Sequence, residues 1–397
     1  MIAKTIFLTR NGLLEPLGQS QVLKYAEGLS REFNISVISF EKKGDLQNTI
    51  LLEEIKSQCS KSRIKWIPNK FTSNLGLFST IFDLLVMVLL CFKEIQKGSS
   101  LIHARSYIPA CAAMIVGKLT GTKYIFDMRA LWPEELITAK RVKRGSFLHK
   151  LVVFIEKAAI KNAASVITLT NASLEYLHKL YPLELKEKPY DVIPTCADLH
   201  KFKPIDTAKK DFIVGCSGTL LSGWFDIKKL AIFYAYVANK DKKLIFEITT
   251  KDNPKEVMDA LKQYNFPLER LKIFSAEVSE MPQVNQLQTA STMFYKGHEV
   301  SELGRSPTRM AEVLGCGNPV IANSGVGDVA YIIKKYNVGI LLDNFDHKSL
   351  EVAYQGFIEL LEDPELSSRC RNVAEMIYSL SQGVNSYKNI YKSVLQK

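Results

Sequence analysis

Short runs of β-branched and aromatic residues recur along the chain, each followed by a longer stretch in which apolar positions return every three or four residues. Runs of the first kind occupy residues 3–9, 35–40, 101–104, 123–127 and 165–169, and segments of that length and composition predict strands. The stretches between them are long enough for helices, and such an alternation predicts parallel α/β layering. After residues 190–194 the pattern restarts at 211–216, 244–248, 271–274, 292–295 and 319–322. Two Rossmann-like domains in tandem follow from this, 1–198 and 199–378, with the polar stretch 198–210 around Pro204 as the linker. Tyr387, Ile390, Tyr391, Val394 and Leu395 then line one face of an amphipathic helix over 379–397. Its apolar side needs a surface to pack on, and the N-terminal domain is the expected one.

Two apolar stretches interrupt this regularity. Residues 75–92 are nearly long enough to span a bilayer, but Asp83 stands in the middle with Ser79 and Thr80 nearby. Charge at that depth is costly, so a buried or interfacial helix is expected rather than a span. Residues 147–155 are apolar and follow the cluster Lys140, Arg141, Lys143, Arg144. That pairing suits peripheral contact with anionic lipid headgroups, and it equally suits a solvated loop before a core helix.

Composition narrows the classes. With 397 residues and 47% hydrophobic content the chain is globular and too long for one core. Seven cysteines, odd in number and without a Cys-x-x-Cys pair, argue against a disulfide framework or a zinc site and fit a reducing cytoplasm. Six histidines without metal-type spacing, and no Asp-x-Asp, make a metal cofactor unexpected. The first strand run begins at residue 3, so no secretory leader is expected and a cytoplasmic location is. Of the net +11, the first 200 residues carry +9, with 27 Lys and Arg against 18 Asp and Glu. That half invites an acidic partner. Nucleic acid is not the expected one, because neither an aromatic RNA-binding motif nor zinc-finger spacing is present.

The sharpest chemistry lies at Ser306-Pro307-Thr308-Arg309-Met310-Ala311-Glu312. Ser306 suits an N-cap and Pro307 the first helical position, so a helix start that attracts phosphate is expected there. Arg309 and Glu312 share a face three residues apart, offering a guanidinium to a diphosphate and a carboxylate to ribose hydroxyls, or simply forming a surface pair. Two glycine-bearing loops follow first strands. Residues 12–20 contain Gly12 and Gly18, and residues 215–224 contain Gly215, Gly218, Thr219 and Gly223. Either loop suits close backbone approach to a ligand, phosphate for the second, though a plain βα turn would also account for the first. Arg105 follows one strand run, and Asp127 with Arg129 follows another. Strand ends are where ligands collect in open α/β sheets, and they are also common places for structural ion pairs.

These landmarks, with residues 126–129 and 192–198, resemble in order and extent those of GT-B fold glycosyltransferases of family four. The resemblance implies two Rossmann-like domains facing across a cleft, with the nucleotide-sugar donor bound mainly by the C-terminal domain. A glycan or lipid-linked acceptor is implied for the N-terminal one, with metal-independent transfer that retains the anomeric configuration. It assigns donor contacts to Gly18, Gly218, Thr219, Ser306, Pro307, Thr308, Arg309 and Glu312, with Arg309 neutralising the leaving diphosphate and Glu312 on the ribose. Asp127 becomes the candidate to orient the acceptor hydroxyl or act as base, and Arg105 and Arg129 become candidates to hold an acidic acceptor. The chain departs from the family pattern where Gly304 replaces its first glutamate and where Asp127 replaces a histidine. The Arg…Lys pair of many relatives is also missing after the second domain's first strand. A sugar-nucleotide epimerase or hydrolase, or a non-catalytic nucleotide-sugar-binding subunit, are the competing classes.

Overall fold

In the computed structural model, which describes residues 2–72, 77–205 and 211–396, the apolar runs of each half lie side by side as parallel sheets. Two units carry them, one built from Met1–Pro194 with Leu380–Lys397 and the other from Thr195–Ser379. In the first unit the strands are β1 (Lys4–Thr9), β2 (Asn34–Glu41), β3 (Lys65–Lys70), β4 (Ser99–Arg105), β5 (Lys123–Asp127), β6 (Ser165–Thr168) and β7 (Tyr190–Val192). Among the described residues they pair in the order β3-β2-β1-β4-β5-β6-β7, parallel throughout. The second unit has β8 (Ile213–Ser217), β9 (Ile245–Thr249), β10 (Leu271–Phe274), β11 (Ala290–Met293), β12 (Val320–Ala322) and β13 (Gly339–Leu341), in the order β10-β9-β8-β11-β12-β13. Both orders reverse beside the first strand, between β1 and β4 and between β8 and β11. In open α/β sheets such a reversal is where a crevice forms at the strands' carboxyl ends.

The central strands are buried on both faces, as in β1 and β2, which is why they read as continuous apolar runs. Edge strand β3, Lys65-Trp66-Ile67-Pro68-Asn69-Lys70, is half exposed and carries a proline that only an edge tolerates, so its pattern was too weak to predict. Strand β11 lies two residues earlier than its apolar run suggests. Phe294 and Tyr295 leave the sheet, and Tyr295 donates its N–H to Asn323 Oδ1 at 2.8 Å while bridging to Phe225.

The helices that bear on function are α1 (Leu77–Gln96), α2 (Tyr107–Thr120), α3 (Phe147–Asn162), α4 (Thr308–Gly315) and α5 (Leu380–Gln396). α1 takes up most of the 75–92 run, whose residues 75 and 76 lie outside the described ones. Asp83 sits fully buried in it and accepts from Arg10 Nη2 at 2.8 Å, which answers the charge in an apolar helix. No described helix is long and apolar enough to cross a membrane.

α5 returns to the first unit. It packs along the helix Lys24–Leu29, where a Cβ at Gly28 would meet the Val384 methyls at 2.6 Å, and the Tyr387 ring stands edge-on to Tyr25 at 5.3 Å. The linker expectation needs correcting. Leu199 and Phe202 are buried in the second unit's core, and Arg371 Nη1 donates to the carbonyls of Leu199, Phe202 and Gly315, so residues 199–202 are fastened rather than free. Residues 206–210 of that stretch lie outside the described ones.

Candidate functional site

In the second unit the site is built at the β8/β11 reversal. β8 ends at Ser217, and Gly218 just after it adopts φ +112°, a region that disfavours a Cβ. A Cβ there would also collide with the Arg309 guanidinium, so glycine makes room for the cation. Arg309, at the start of α4, lies with its guanidinium carbon 5.8 Å from the ring centres of both Phe225 and Tyr295. Arg305 stacks beside it, 5.6 Å from Tyr295 and 5.4 Å from Trp224, and holds Glu302 at 2.6 and 3.0 Å. Two guanidiniums therefore alternate with three rings, and the quadrupoles of the rings favour that charge.

The two arginines differ in what balances them. Arg305 has Glu302, whereas among the described residues no carboxylate oxygen lies within 4.0 Å of Arg309, and its buried Nη1 has no hydrogen-bond partner. Glu312 follows one turn along α4. Burial pushes its carboxyl up to about 7 against the pull of the Arg309 charge. A cation short of an acceptor and a carboxyl balanced between its two forms stand together at a strand-end crevice, an arrangement suited to an anion carrying hydroxyl groups.

The sequence expectations at this site are corrected in detail. α4 starts at Thr308 with Pro307 as the capping residue, and no side chain caps it. Ser306 is not the cap because Thr195 claims it: the Thr195 N–H donates to Ser306 Oγ at 3.2 Å, and Thr195 Oγ1 donates to the Ser306 carbonyl at 2.6 Å. Nor do the loop amides stand open for phosphate. Gly218 donates to the Thr249 carbonyl at 2.9 Å, and Leu220 and Leu221 both donate to Asp252 Oδ2, at 2.5 and 3.0 Å, leaving the exposed Thr219 between engaged amides. Glu302 does not stand in for the carboxylate missing at Gly304, since it is buried and held by Arg305.

The first unit repeats the loop arrangement at β1. Leu13 and Leu14 donate their N–H groups to Glu41 Oε1 and Oε2 at 2.9 and 3.0 Å, and Ser39 Oγ donates to Oε1 at 2.5 Å. A Cβ on Gly12 would strike that carboxylate, and one on Gly18 would strike the Gly12 carbonyl. The glycines thus serve the loop's own packing, a need for glycine at Gly18 that stands apart from any ligand. Burial pushes the Glu41 carboxyl up against these hydrogen bonds.

At the β4 and β5 ends, Arg105 and Asp127 face each other in register. Asp127 is 1% exposed and fully engaged: Oδ2 accepts from Tyr387 Oη at 2.9 Å and lies 3.2 Å from His103 Nε2, and Oδ1 accepts from Arg129 Nη1 at 3.3 Å. Burial alone would raise its pKa, but the Arg129 charge and the His103 contact hold it well below the usual carboxylate range. A buried carboxylate so firmly ionised and enclosed is a poor proton acceptor, so this setting does not favour the expected role of Asp127 as base or as the group orienting the acceptor hydroxyl; its Oδ1 accepts from Arg129 instead. Tyr391 Oη closes the ring at 2.9 Å from His103 Nδ1, and burial pulls the His103 pKa down.

Arg105 donates Nη1 to Asn11 Oδ1 at 2.8 Å, and burial followed by the Arg129 charge lowers its pKa to about 10. Nε of Arg105 and Nε and Nη2 of Arg129 are buried without partners. Both arginines and Asp127 are legible in the sequence from their strand ends. His103 is not, although it shares a face of β4 with Arg105 two residues on, and Tyr387 and Tyr391 read in the sequence only as apolar positions of a helix.

Residues 18–201 match the model for Glycosyltransferase Family 4. No curated protein matches the sequence. Similar solved structures include sucrose-phosphate synthase from Thermosynechococcus elongatus, 14% identical with a TM-score of 0.70 over 99% of each chain. Anabaena HepE in complex with UDP and glucose is 15% identical, TM-score 0.68, over 98% of this chain and all of that one. A putative UDP-N-acetylglucosamine 2-epimerase from Listeria monocytogenes is 11% identical, TM-score 0.64, over 100% and 97%. At these identities the likeness is one of fold, shared by transferases and an epimerase alike.

Proposed function

We propose, for a chain whose family match and paired Rossmann-like units make it a GT-B fold, family-four-like glycosyltransferase, that it moves a sugar from a nucleotide diphosphate to an acceptor hydroxyl. The acceptor is a glycan or a lipid-linked intermediate of surface polysaccharide or glycoconjugate synthesis. The observation that carries this reading is Arg309: a guanidinium with a buried N–H and no carboxylate partner among the described residues, one helical turn from Glu312 at a strand-end crevice. A departing diphosphate supplies the missing negative charge, and the ionised Glu312 accepts from ribose hydroxyls.

In the transfer, the bond from the anomeric carbon to the diphosphate oxygen breaks and a bond from that carbon to the acceptor oxygen forms. The acceptor's proton passes to the departing phosphate oxygen on the same face, which retains configuration and requires neither a protein nucleophile nor a metal. Arg309 stabilises the charge that develops on the leaving group. In the first unit, the unpartnered N–H groups of Arg105 and Arg129 suit an anionic group on the acceptor, and Asp127 keeps Arg129 in place.

A thermal-shift panel of UDP-, GDP-, dTDP-, ADP- and CMP-sugars, followed by label transfer to candidate acceptors, tests the reading. A single nucleotide class should raise the melting temperature of wild type and not of Arg309→Ala, and turnover should persist in EDTA. Folded protein that no nucleotide stabilises would remove the donor site. Donor consumed without acceptor would favour the epimerase or hydrolase reading, which the fold likeness to an epimerase keeps in view.

A further inference from the structure

Helices α1, α2 and α3 form a contiguous layer on the first unit, α1 against α2 and α2 against α3. Helices that cover a parallel sheet ordinarily turn polar residues to water. α1 does the reverse. Phe78 is 76% exposed, Phe82 57%, Leu85 57% and Leu89 61%, a row at steps of four, three and four residues along the length of the helix. Leu119 on α2 and Leu151 and Phe154 on α3 are exposed as well. Single exposed apolar side chains are ordinary, whereas a row shared by neighbouring helices marks an interaction face.

The charges on this layer are sorted by sign. Its helices contain three acidic residues, Asp83, Glu94 and Glu156, all buried. Asp83 holds Arg10, Glu94 holds Lys65, Lys97 and Ser36, and Glu156 accepts from Tyr107 and Tyr181. The exposed charged residues of the three helices are therefore cationic, among them Lys93, Lys118, Lys150 and Lys161. Lys140, Arg141 and Lys143, exposed in the segment that leads into α3, add to them.

We propose that the face formed by α1, α2 and α3 seats on an anionic lipid bilayer, with α1 lying in the interfacial plane. Phe78, Phe82, Leu85 and Leu89 enter the region between headgroups and acyl chains, and the lysines meet lipid phosphates. The arrangement lies on the membrane and does not cross it, in keeping with the absence of a spanning helix among the described residues. A second copy of the chain is a poor occupant: the acidic residues of α1, α2 and α3 are all buried, so two such faces would oppose like charges.

Flotation of the full chain with phosphatidylcholine vesicles, with or without about 30% phosphatidylglycerol, tests this. The chain should float with anionic vesicles and remain behind with neutral ones, and about 1 M salt should release most of it. The variants Phe82→Ser/Leu85→Ser/Leu89→Ser and Lys140→Gln/Lys143→Gln should each lower the partition coefficient by at least about tenfold. Val352→Ser, at an exposed apolar position of the second unit, should change nothing. All of these positions are exposed, so circular dichroism and melting temperature should match wild type and separate lost binding from lost fold. Equal recovery with neutral and anionic vesicles would overturn the proposal, as would unchanged binding by both α1 and lysine variants. A wild-type dimer in light scattering that fails to float, and that the triple-serine variant turns into monomers, would replace the bilayer with a second copy.

Discussion

Both units hand the amides of the loop after their first strand to a carboxylate from the strand alongside. In the first unit Glu41, ending β2, takes Leu13 and Leu14; in the second Asp252, just past β9, takes Leu220 and Leu221. They part at the neighbouring strand ends. The first unit balances its buried Arg129 with Asp127 and encloses that pair with His103, Tyr387 and Tyr391, while the second leaves Arg309 beside aromatic rings with no carboxylate in reach among the described residues. On one scaffold, then, glycine-rich loops do not discriminate between structure and ligand binding. Charge balance does separate them: Arg129 has a carboxylate partner built into the fold, and Arg309 has none among the described residues.

The largest effect expected from breaking this contrast is on stability. Asp127→Ala leaves two buried guanidiniums without a counter-charge and should cost about 3–5 kcal/mol in urea unfolding. Because the Asp127 pKa is depressed in the fold, its contribution is full above the ordinary carboxylate range and is lost as pH falls below it, so the deficit of the variant should shrink in acid. Arg309→Ala should behave oppositely, losing on the order of 10²–10³ in turnover while costing under about 1 kcal/mol of stability, the scale of its ring contacts. A variant that unfolds easily, or one that keeps most of its turnover, would erase the distinction between the two arginines.

Glu312 sharpens the comparison through pH. Its carboxyl is raised to about 7 in the fold, so its stabilising contribution is full below the unfolded value of 4.5 and is lost as pH climbs through 7. Ligand hydroxyls need the ionised form, so nucleotide affinity should rise by a few-fold between about pH 6 and 8 in calorimetry, and Glu312→Gln should flatten that slope. Affinity that falls over the same range would place the proton elsewhere. The smallest change is expected from Tyr391→Phe, which removes one hydrogen bond to His103 and should cost about 1 kcal/mol in urea while leaving nucleotide binding intact.

Much of the scaffold was legible because its strands are buried on both faces and so read as apolar runs; β3 escaped because an edge strand has a wet side and a proline. At the sites, residue types were legible and partners were not. Ser306 reads as a helix cap until Thr195, 111 residues away, takes its hydroxyl. Asp127 reads as a reactive carboxylate until Tyr387, 260 residues away, covers it. The loop amides read as open because Glu41 and Asp252 come from other segments. Arg309 was identifiable because the signal that places it, a proline at a helix start, lies within two residues of it in the sequence.

Where α5 sits bears on how the molecule comes into being. Residues up to 194 leave the ribosome first, yet Tyr387 and Tyr391, which complete the His103–Asp127 cluster, emerge only after the whole of Thr195–Ser379 has been made. At about 5–20 residues per second that is a wait of roughly 10–40 s, during which the nascent first unit holds an unfinished polar cluster. The second unit can close on itself before the first is complete, so the order of synthesis and the order of completion are reversed. A chain cut short before residue 380 would carry a finished Arg309 site attached to an unfinished partner, recognisable to the cell's proteases by the surface that α5 should have covered.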